Sequence, residues 1–296
     1  MKKMITILLI VILATSCFAG CQDTAYAQIA ATTLPVYQFT AALCEGTPLT
    51  VTRLITEEVA CLHDYSLNVR QVRAAEAADV IVISGAGLED FLDGIIPEEK
   101  RIDASLGIAL MDYEGAHAHD HGHGHDHSHS HEQDPHIWLD PEIASAMASN
   151  ICTELSGRYP DYADIFLRNL NDLTIRFEQL EEYGNTQLTN LSCREMITFH
   201  DGFSYFAQAF GLTILEAVEE ESGSEASAKE LIHLIEEVEH HSLPALFTEK
   251  NSSTAAAEII SRETGRNLFC LDMIMSGNDY FDAMYYNINT IKEALG

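Results

Sequence analysis

Positive charge is scarce in this sequence. The 296 residues include 16 Lys and Arg against 46 Asp and Glu, which gives a formal net charge of −30 at pH 7. Such a chain is repelled by nucleic acids and by anionic membrane surfaces, and it attracts cations. We therefore expect no nucleic-acid partner. The same charge keeps a secreted protein soluble, so by itself it indicates no particular function.

Long apolar runs are also missing beyond the N-terminus, so no later segment is expected to span a membrane. Residues 1–20 have the form of a signal peptide, in which two lysines precede a short apolar run. Phe-Ala-Gly-Cys at 18–21 resembles a bacterial lipobox, which predicts cleavage before Cys21 and acylation of Cys21. We expect an extracytoplasmic chain tethered to the membrane by lipid. Phe18 replaces the usual leucine, so plain secretion stays open, with Cys17 as a second candidate acceptor.

The sequence lacks a CxxC metal motif and the HExxH signature of zinc hydrolases. Five cysteines follow Cys21, namely Cys44, Cys61, Cys152, Cys193 and Cys270. Outside the cytoplasm they could pair, and Cys44–Cys61 and Cys193–Cys270 would each stay within one half of the chain. The equally weighted alternative is a set of small buried thiols.

Histidine, in contrast, is concentrated in one stretch. Eight histidines alternate with small or acidic residues, and neutral imidazole suits zinc, copper and nickel. A tract with nothing apolar to bury is predicted to be a mobile loop that contacts metal, with a solvated polar loop as the alternative. The eight are His117, His119, His121, His123, His125, His127, His129 and His131.

Strand and helix signals alternate on both sides of one long amphipathic helix at 161–183. At about 1.5 Å per residue this helix is roughly 35 Å long, enough to join two lobes. We predict an α/β fold of two (β/α)-type lobes with parallel sheets, a rigid linking helix and a cleft between the lobes. The predicted strands are 29–34, 49–55, 79–84 and 108–111 before the helix, and 195–200, 213–218, 246–249 and 267–271 after it.

These signals divide the chain into four parts. The linking helix separates two halves of similar strand and helix content, and the histidine tract falls within the first half. The predicted parts are the signal peptide 1–20, the N-terminal lobe 21–158 with a His-rich loop at 112–134, the linking segment 159–187, and the C-terminal lobe 188–296.

Outside the tract, four residues could hold a metal. His200 and Asp272 each end a predicted strand. His63 lies in the loop after the second strand, and His136 precedes a helix with Asp140 as its N-cap. Parallel sheets bind ligands at the carboxyl ends of their strands. No local motif links the four, so only the fold can bring them together, and singly each is an ordinary loop residue.

Four segments carry a family resemblance that covers nearly all of the mature chain. The chain resembles the zinc-binding, ZnuA-type substrate-binding proteins of bacterial ABC transporters. That resemblance implies two α/β lobes around a metal, no catalysis, a permease with its ATPase as partners, and a monomer. The segments are His-Asp-Tyr-Ser-Leu at 63–67, Asp-Pro-His-Ile-Trp-Leu-Asp-Pro at 134–141, Phe-His-Asp-Gly-Phe-Ser-Tyr-Phe at 199–206, and the region 271–287.

The resemblance also implies a ligand set. His63, His136 and His200 would bind the metal, with Asp272 as fourth ligand and Glu249 or water as alternatives. Three imidazoles and a carboxylate suit tetrahedral zinc. Manganese members of the family carry a carboxylate in place of the third histidine, so His200 favours Zn²⁺ as the transported ion. The eight-histidine tract would then be an accessory that supplies the cleft.

Three other functions stay open at this point. A manganese or iron receptor and an adhesin would use the same fold. A zinc hydrolase would need an open coordination position to activate water. The first two differ from a zinc receptor in the ion or partner bound, and the third in whether a fourth protein ligand closes the metal shell.

Overall fold

In a computed structural model the protein forms two lobes, with eight strands and eight α-helices within the described ranges. Those ranges are 27–62, 65–112, 133–219, 226–277 and 279–296. No helix within them is long and apolar enough to cross a bilayer.

The N-terminal lobe is built on a parallel four-stranded sheet in the order β2-β1-β3-β4. Its two central strands, β1 and β3, are apolar and buried along their whole length, as expected for strands covered on both faces. The elements are β1 Ile29–Ala31, α1 Leu34–Cys44, β2 Val51–Arg53, α2 Val69–Ala77, β3 Val80–Ile83 and β4 Arg101–Asp103.

The C-terminal lobe repeats this plan. Its parallel sheet has the order β6-β5-β7-β8, so in both lobes the chain order reverses between the first and third strands. Gly211 and Gly265 end α5 and α7 at φ +64° and +71°, a left-handed conformation that glycine adopts without strain. The elements are β5 Glu195–His200, α5 Ser204–Phe210, β6 Thr213–Glu219, α6 Ala228–His240, β7 Ala245–Glu249, α7 Ala255–Thr264, β8 Asn267–Leu271 and α8 Tyr280–Leu295.

Two helices follow the N-terminal sheet in the chain, α3 (Pro141–Arg158) and the long α4 (Ala163–Gln187), and α4 leads into the C-terminal lobe. The 25 residues of α4 extend over about 37 Å. Phe177 in the middle of α4 meets Phe39 of the first lobe at a ring distance of 5.3 Å and Phe281 of the second at 5.2 Å. The predicted linking helix is therefore confirmed, and it packs against both lobes.

Direct hydrogen bonds also cross between the lobes. The Trp138 indole donates to the Met273 carbonyl over 2.9 Å, and the Tyr280 hydroxyl donates to the Trp138 carbonyl over 2.7 Å. The Met111 amide donates to the Tyr205 hydroxyl over 2.8 Å. Trp138, Tyr205 and Tyr280 are all buried. These bonds would break if the lobes opened widely, so they favour a rigid arrangement.

The fourth strand of the N-terminal lobe was predicted in the wrong place. It is β4, Arg101–Asp103, and the predicted strand at 108–111 is absent from the described structure. Charged residues flank Ile102, so β4 lacks an apolar run, and it forms because Ile102 is buried beside β3. The Arg101 guanidinium donates to the carbonyls of Leu92 and Ile96, which pins this edge strand to the preceding turn.

No disulfide joins any two of the five described cysteines. The two pairings considered from the sequence are therefore wrong. Cys44 is buried at the end of α1, whereas Cys61 lies beside His136. Cys193 and Cys270 instead place their thiols within reach of the backbone carbonyls of Glu195 and Leu271.

Two helical glycines provide a test of how α4 packs. A Cβ at Gly184 would overlap the ring of the buried Phe210, whereas a Cβ at Gly157 in α3 would meet nothing within 4 Å. We expect Gly184→Ala to lower the free energy of unfolding by about 1–3 kcal/mol through overpacking. Gly157→Ala should raise it by up to about 1 kcal/mol through helix propensity. Thermal or urea unfolding measures both, and a rise in both variants would contradict the close contact between α4 and α5.

Candidate metal centre

His200 is the last residue of β5, at the carboxyl end of the strand and beside the point where the strand order reverses. Its side chain is 2% exposed, and within the described ranges neither ring nitrogen has a hydrogen-bond partner. Buried polar atoms almost always have a partner, so an imidazole left in this state is a candidate ligand. The following Gly202 keeps the space open, because a Cβ there would lie 3.1 Å from His200 Cδ2 and 3.2 Å from His136 Cε1.

His136 is fully buried and is oriented by its own local sequence. A short 3₁₀ turn, Ile137–Leu139, follows it and leads into α3, which Asp140 caps by accepting from the Glu142 and Ile143 amides. Asp134 Oδ1 lies 2.9 Å from the His136 amide nitrogen and 2.8 Å from His136 Nδ1. A carboxylate hydrogen-bonded to Nδ1 fixes the orientation of the ring, as it does for histidines that bind metals, and Nε2 then points away from that carboxylate.

The pKa of His136 reflects this environment. Burial alone would lower it, but the hydrogen bonds with Asp134 and Cys61 outweigh burial and raise the pKa to about 10. The raised pKa favours the protonated form of the ring. A metal that binds Nε2 must displace this proton, so binding is accompanied by proton release.

Three potential ligand atoms converge at this position. The His136 and His200 rings lie 5.3 Å apart at an interplanar angle of 89°, and His136 Nε2 is 3.6 Å from Cys61 Sγ. One ligand atom from each of these three residues lies within 4.8 Å of the other two. The fold thus joins two predicted histidines and adds Cys61, which sequence reasoning had not placed at a metal. The signal that could have found it is its position two residues before His63.

Asp272 and Glu249 each interact with other groups nearby. Asp272 follows β8 and is 6% exposed. Its Oδ2 accepts from Lys250 Nζ over 2.7 Å and its Oδ1 from the Ile274 amide over 2.8 Å. It is not a member of the group formed by Cys61, His136 and His200. Glu249 Oε1 accepts from the amides of Phe199 and His200, so it fixes the end of β5. A ligand role for either carboxylate stays a prediction.

The other predicted site residues lie outside the described residues, and nothing is stated of their positions. They are the predicted ligand His63, the predicted acylation site Cys21, and the eight tract histidines His117, His119, His121, His123, His125, His127, His129 and His131.

A second group of candidate ligand atoms lies at the C-terminal end of α6, formed by Glu237, His240 and the following His241. The His241 side chain is 26% exposed, with Nδ1 3.0 Å from Glu195 Oε2 and Nε2 3.5 Å from Glu237 Oε2. Pairing between histidine and carboxylate accounts for this group.

Comparisons with known proteins agree with this architecture. A family model described as the zinc-uptake complex component A, periplasmic (ZnuA), matches residues 29–294. A crystal structure of ZnuA superposes with a TM-score of 0.79 at 27% identity, covering 91% of this chain and all of the other.

Two curated relatives differ in the metal that they are named for. The zinc-binding lipoprotein AdcA of Streptococcus pneumoniae (strain R6) is 27% identical over 280 residues, which span 90% of this chain but only 55% of AdcA. The manganese ABC transporter substrate-binding lipoprotein PsaA of Streptococcus mitis is 23% identical over 252 residues, 79% of this chain and 78% of PsaA.

Proposed function

Because the chain belongs to the ZnuA family of metal-binding substrate-binding proteins, we propose that it is an extracytoplasmic receptor that binds Zn²⁺ between its lobes and delivers it to an ABC permease and its ATPase. In this role it binds and releases an ion and performs no catalysis. The inter-lobe hydrogen bonds of Trp138 and Tyr280 support a receptor that changes shape little on binding.

One observation carries the proposal. His200 is buried with both ring nitrogens unpartnered within the described ranges, and it faces a second buried histidine, His136, at a ring distance of 5.3 Å. The two rings do not hydrogen-bond to each other within the described ranges, although they lie this close. A cation bound between them would give the His200 ring a partner, and the net charge of −30 favours its approach.

The proposed ligand set is His63, His136 and His200, with Asp272 as the fourth ligand. For Asp272 to bind the ion, its Oδ2 must exchange the ion pair with Lys250 for the metal. Lys250 is nearly half exposed, so its ammonium can return to water at small cost. The resulting nitrogen and oxygen shell suits tetrahedral zinc.

The location follows from the N-terminal pattern. We propose that Cys21 is acylated and holds the chain at the outer face of the membrane as a monomer. The relatives named lipoproteins support this arrangement. The histidines between 117 and 131 would collect zinc and supply it to the cleft.

Zinc is favoured over manganese because the site offers imidazoles. Nitrogen ligands stabilise zinc much more than manganese, and manganese prefers oxygen. We expect the protein purified without added metal to contain zinc, and added zinc to displace manganese completely at equal concentrations. Elemental analysis and a zinc–manganese competition titration measure this.

A matched variant separates the role of the imidazole from the general preference for zinc. His200→Asp should reduce the zinc-to-manganese affinity ratio by more than about tenfold, since it replaces nitrogen by oxygen at one ligand. Manganese retained by the unaltered protein against equimolar zinc would instead identify it as a manganese receptor.

A further inference from the structure

Cys61 places a thiol at the centre of the cleft. Its Sγ lies 3.6 Å from His136 Nε2, and this sulfur, one nitrogen of His136 and one of His200 all lie within 4.8 Å of one another. Cys61 is half-buried, whereas the two histidines are buried. Three donor atoms at such mutual distances can bind one ion placed between them.

The orientation of the His136 ring is set by Asp134 and not by Cys61. Asp134 engages Nδ1, so Nε2 is the atom that faces the thiol. The nitrogens of His200, which have no hydrogen-bond partner within the described ranges, provide a second observation. A contact between Cys61 and His136 alone would explain the position of the thiol, but it would leave the buried His200 ring without a partner in the described structure. An ion bound by all three explains both.

We infer that Cys61 is a sulfur ligand of the transported ion, together with His136 and His200, and that it takes the fourth position proposed above for Asp272, which is not a member of this group of ligand atoms. The inference rests on the proposed function and specifies the class of ion, because a thiolate selects borderline and soft ions such as zinc and cadmium over manganese. When the metal–sulfur bond forms, the thiol gives up its proton to the solvent, and no electrons are transferred.

Cobalt(II) provides the direct test, because it occupies zinc sites and a bound thiolate adds a charge-transfer absorption band in the near ultraviolet. We expect the purified chain titrated with cobalt(II) alone to show this band, and Cys61→Ser to lose it. Imidazole ligands give no such band, so the histidine tract does not obscure the result. Zinc affinity of Cys61→Ser should fall more than about tenfold. A tenfold loss is the smallest that is typical when a residue that only supports a metal ligand is replaced.

Cys193→Ser is the matched control. Cys193 is also half-buried, but it lies just before β5, at the opposite end of that strand from His200. This variant should keep both the band and the affinity, and melting curves of the two metal-free variants check that each is folded. A band that survives in Cys61→Ser, or cobalt bound tightly by the unaltered chain without the band, would overturn the sulfur ligand and leave the receptor function standing. If the unaltered chain binds neither cobalt nor zinc tightly, the proposed function itself fails.

Discussion

Replacing His200 by alanine is expected to lower the zinc affinity of the cleft by more than about 100-fold, since loss of a residue that merely supports a ligand already costs about 10–100-fold. The ring lies at the end of β5 with both nitrogens buried and unpartnered in the described structure. Among the described residues, the metal-free variant therefore loses packing but no hydrogen bond. Competition with a chelator of known zinc affinity measures the change.

The same variant separates binding from folding. Zinc at 100 times its dissociation constant should stabilise the unaltered protein by about 2.7 kcal/mol, and His200→Ala should lose most of this gain. His233→Ala is a suitable control, because His233 has a half-exposed side chain on α6 next to Glu216. Undiminished zinc affinity in His200→Ala would remove this residue from the ligand set.

The fold was predictable wherever burial on both faces of a sheet required an apolar run. Val80–Ile83 and Ala245–Glu249 are buried at every position, and the sequence shows both as strands. Arg101–Asp103 was not predicted as a strand because only its central residue is buried. Edge strands are stabilised by strand pairing and by local hydrogen bonds, here those from Arg101 to the preceding turn. Such bonds do not require an apolar run in the sequence.

The site was predictable to the extent that local sequence positions each residue. His136 could be identified because Asp134 and the cap of α3 lie next to it in the chain. The proximity of His136 to His200 arises from the packing of the two lobes, which no spacing encodes. Cys61 was missed although it lies two residues before His63, because its thiol meets His136 only across the fold.

The described residues that flank the histidine tract lie beside His136. Asp112 and Gln133 form an antiparallel bridge, and the Asp134 amide donates to the Met111 carbonyl over 2.9 Å. The described residues on either side of the tract are thus paired at one point. That point is adjacent to Asp134, the residue that orients His136. Metal held by the tract would therefore be released next to the proposed cleft ligands.

Deleting residues 117–131 is accordingly expected to reduce the zinc bound per chain to one ion while the tight affinity of the cleft is kept. The deletion shortens the connection between Asp112 and Gln133 from 20 residues (113–132) to five (113–116 and 132). Five residues can still close an antiparallel pair. This fourfold shortening of the loop should raise the free energy of unfolding by about 1.2 kcal/mol, because closing a shorter loop costs less entropy.

Isothermal titration with zinc, with and without a competing chelator, distinguishes the two classes of site. The unaltered chain should show weak additional binding that the deletion removes, because alternating histidines in a polar tract bind zinc without a preformed shell. The histidines can also be replaced by serine at unchanged length, which controls for the shortened connection. If the tight phase disappears in both variants, the tract itself is the transport site and the buried histidines of the cleft are not.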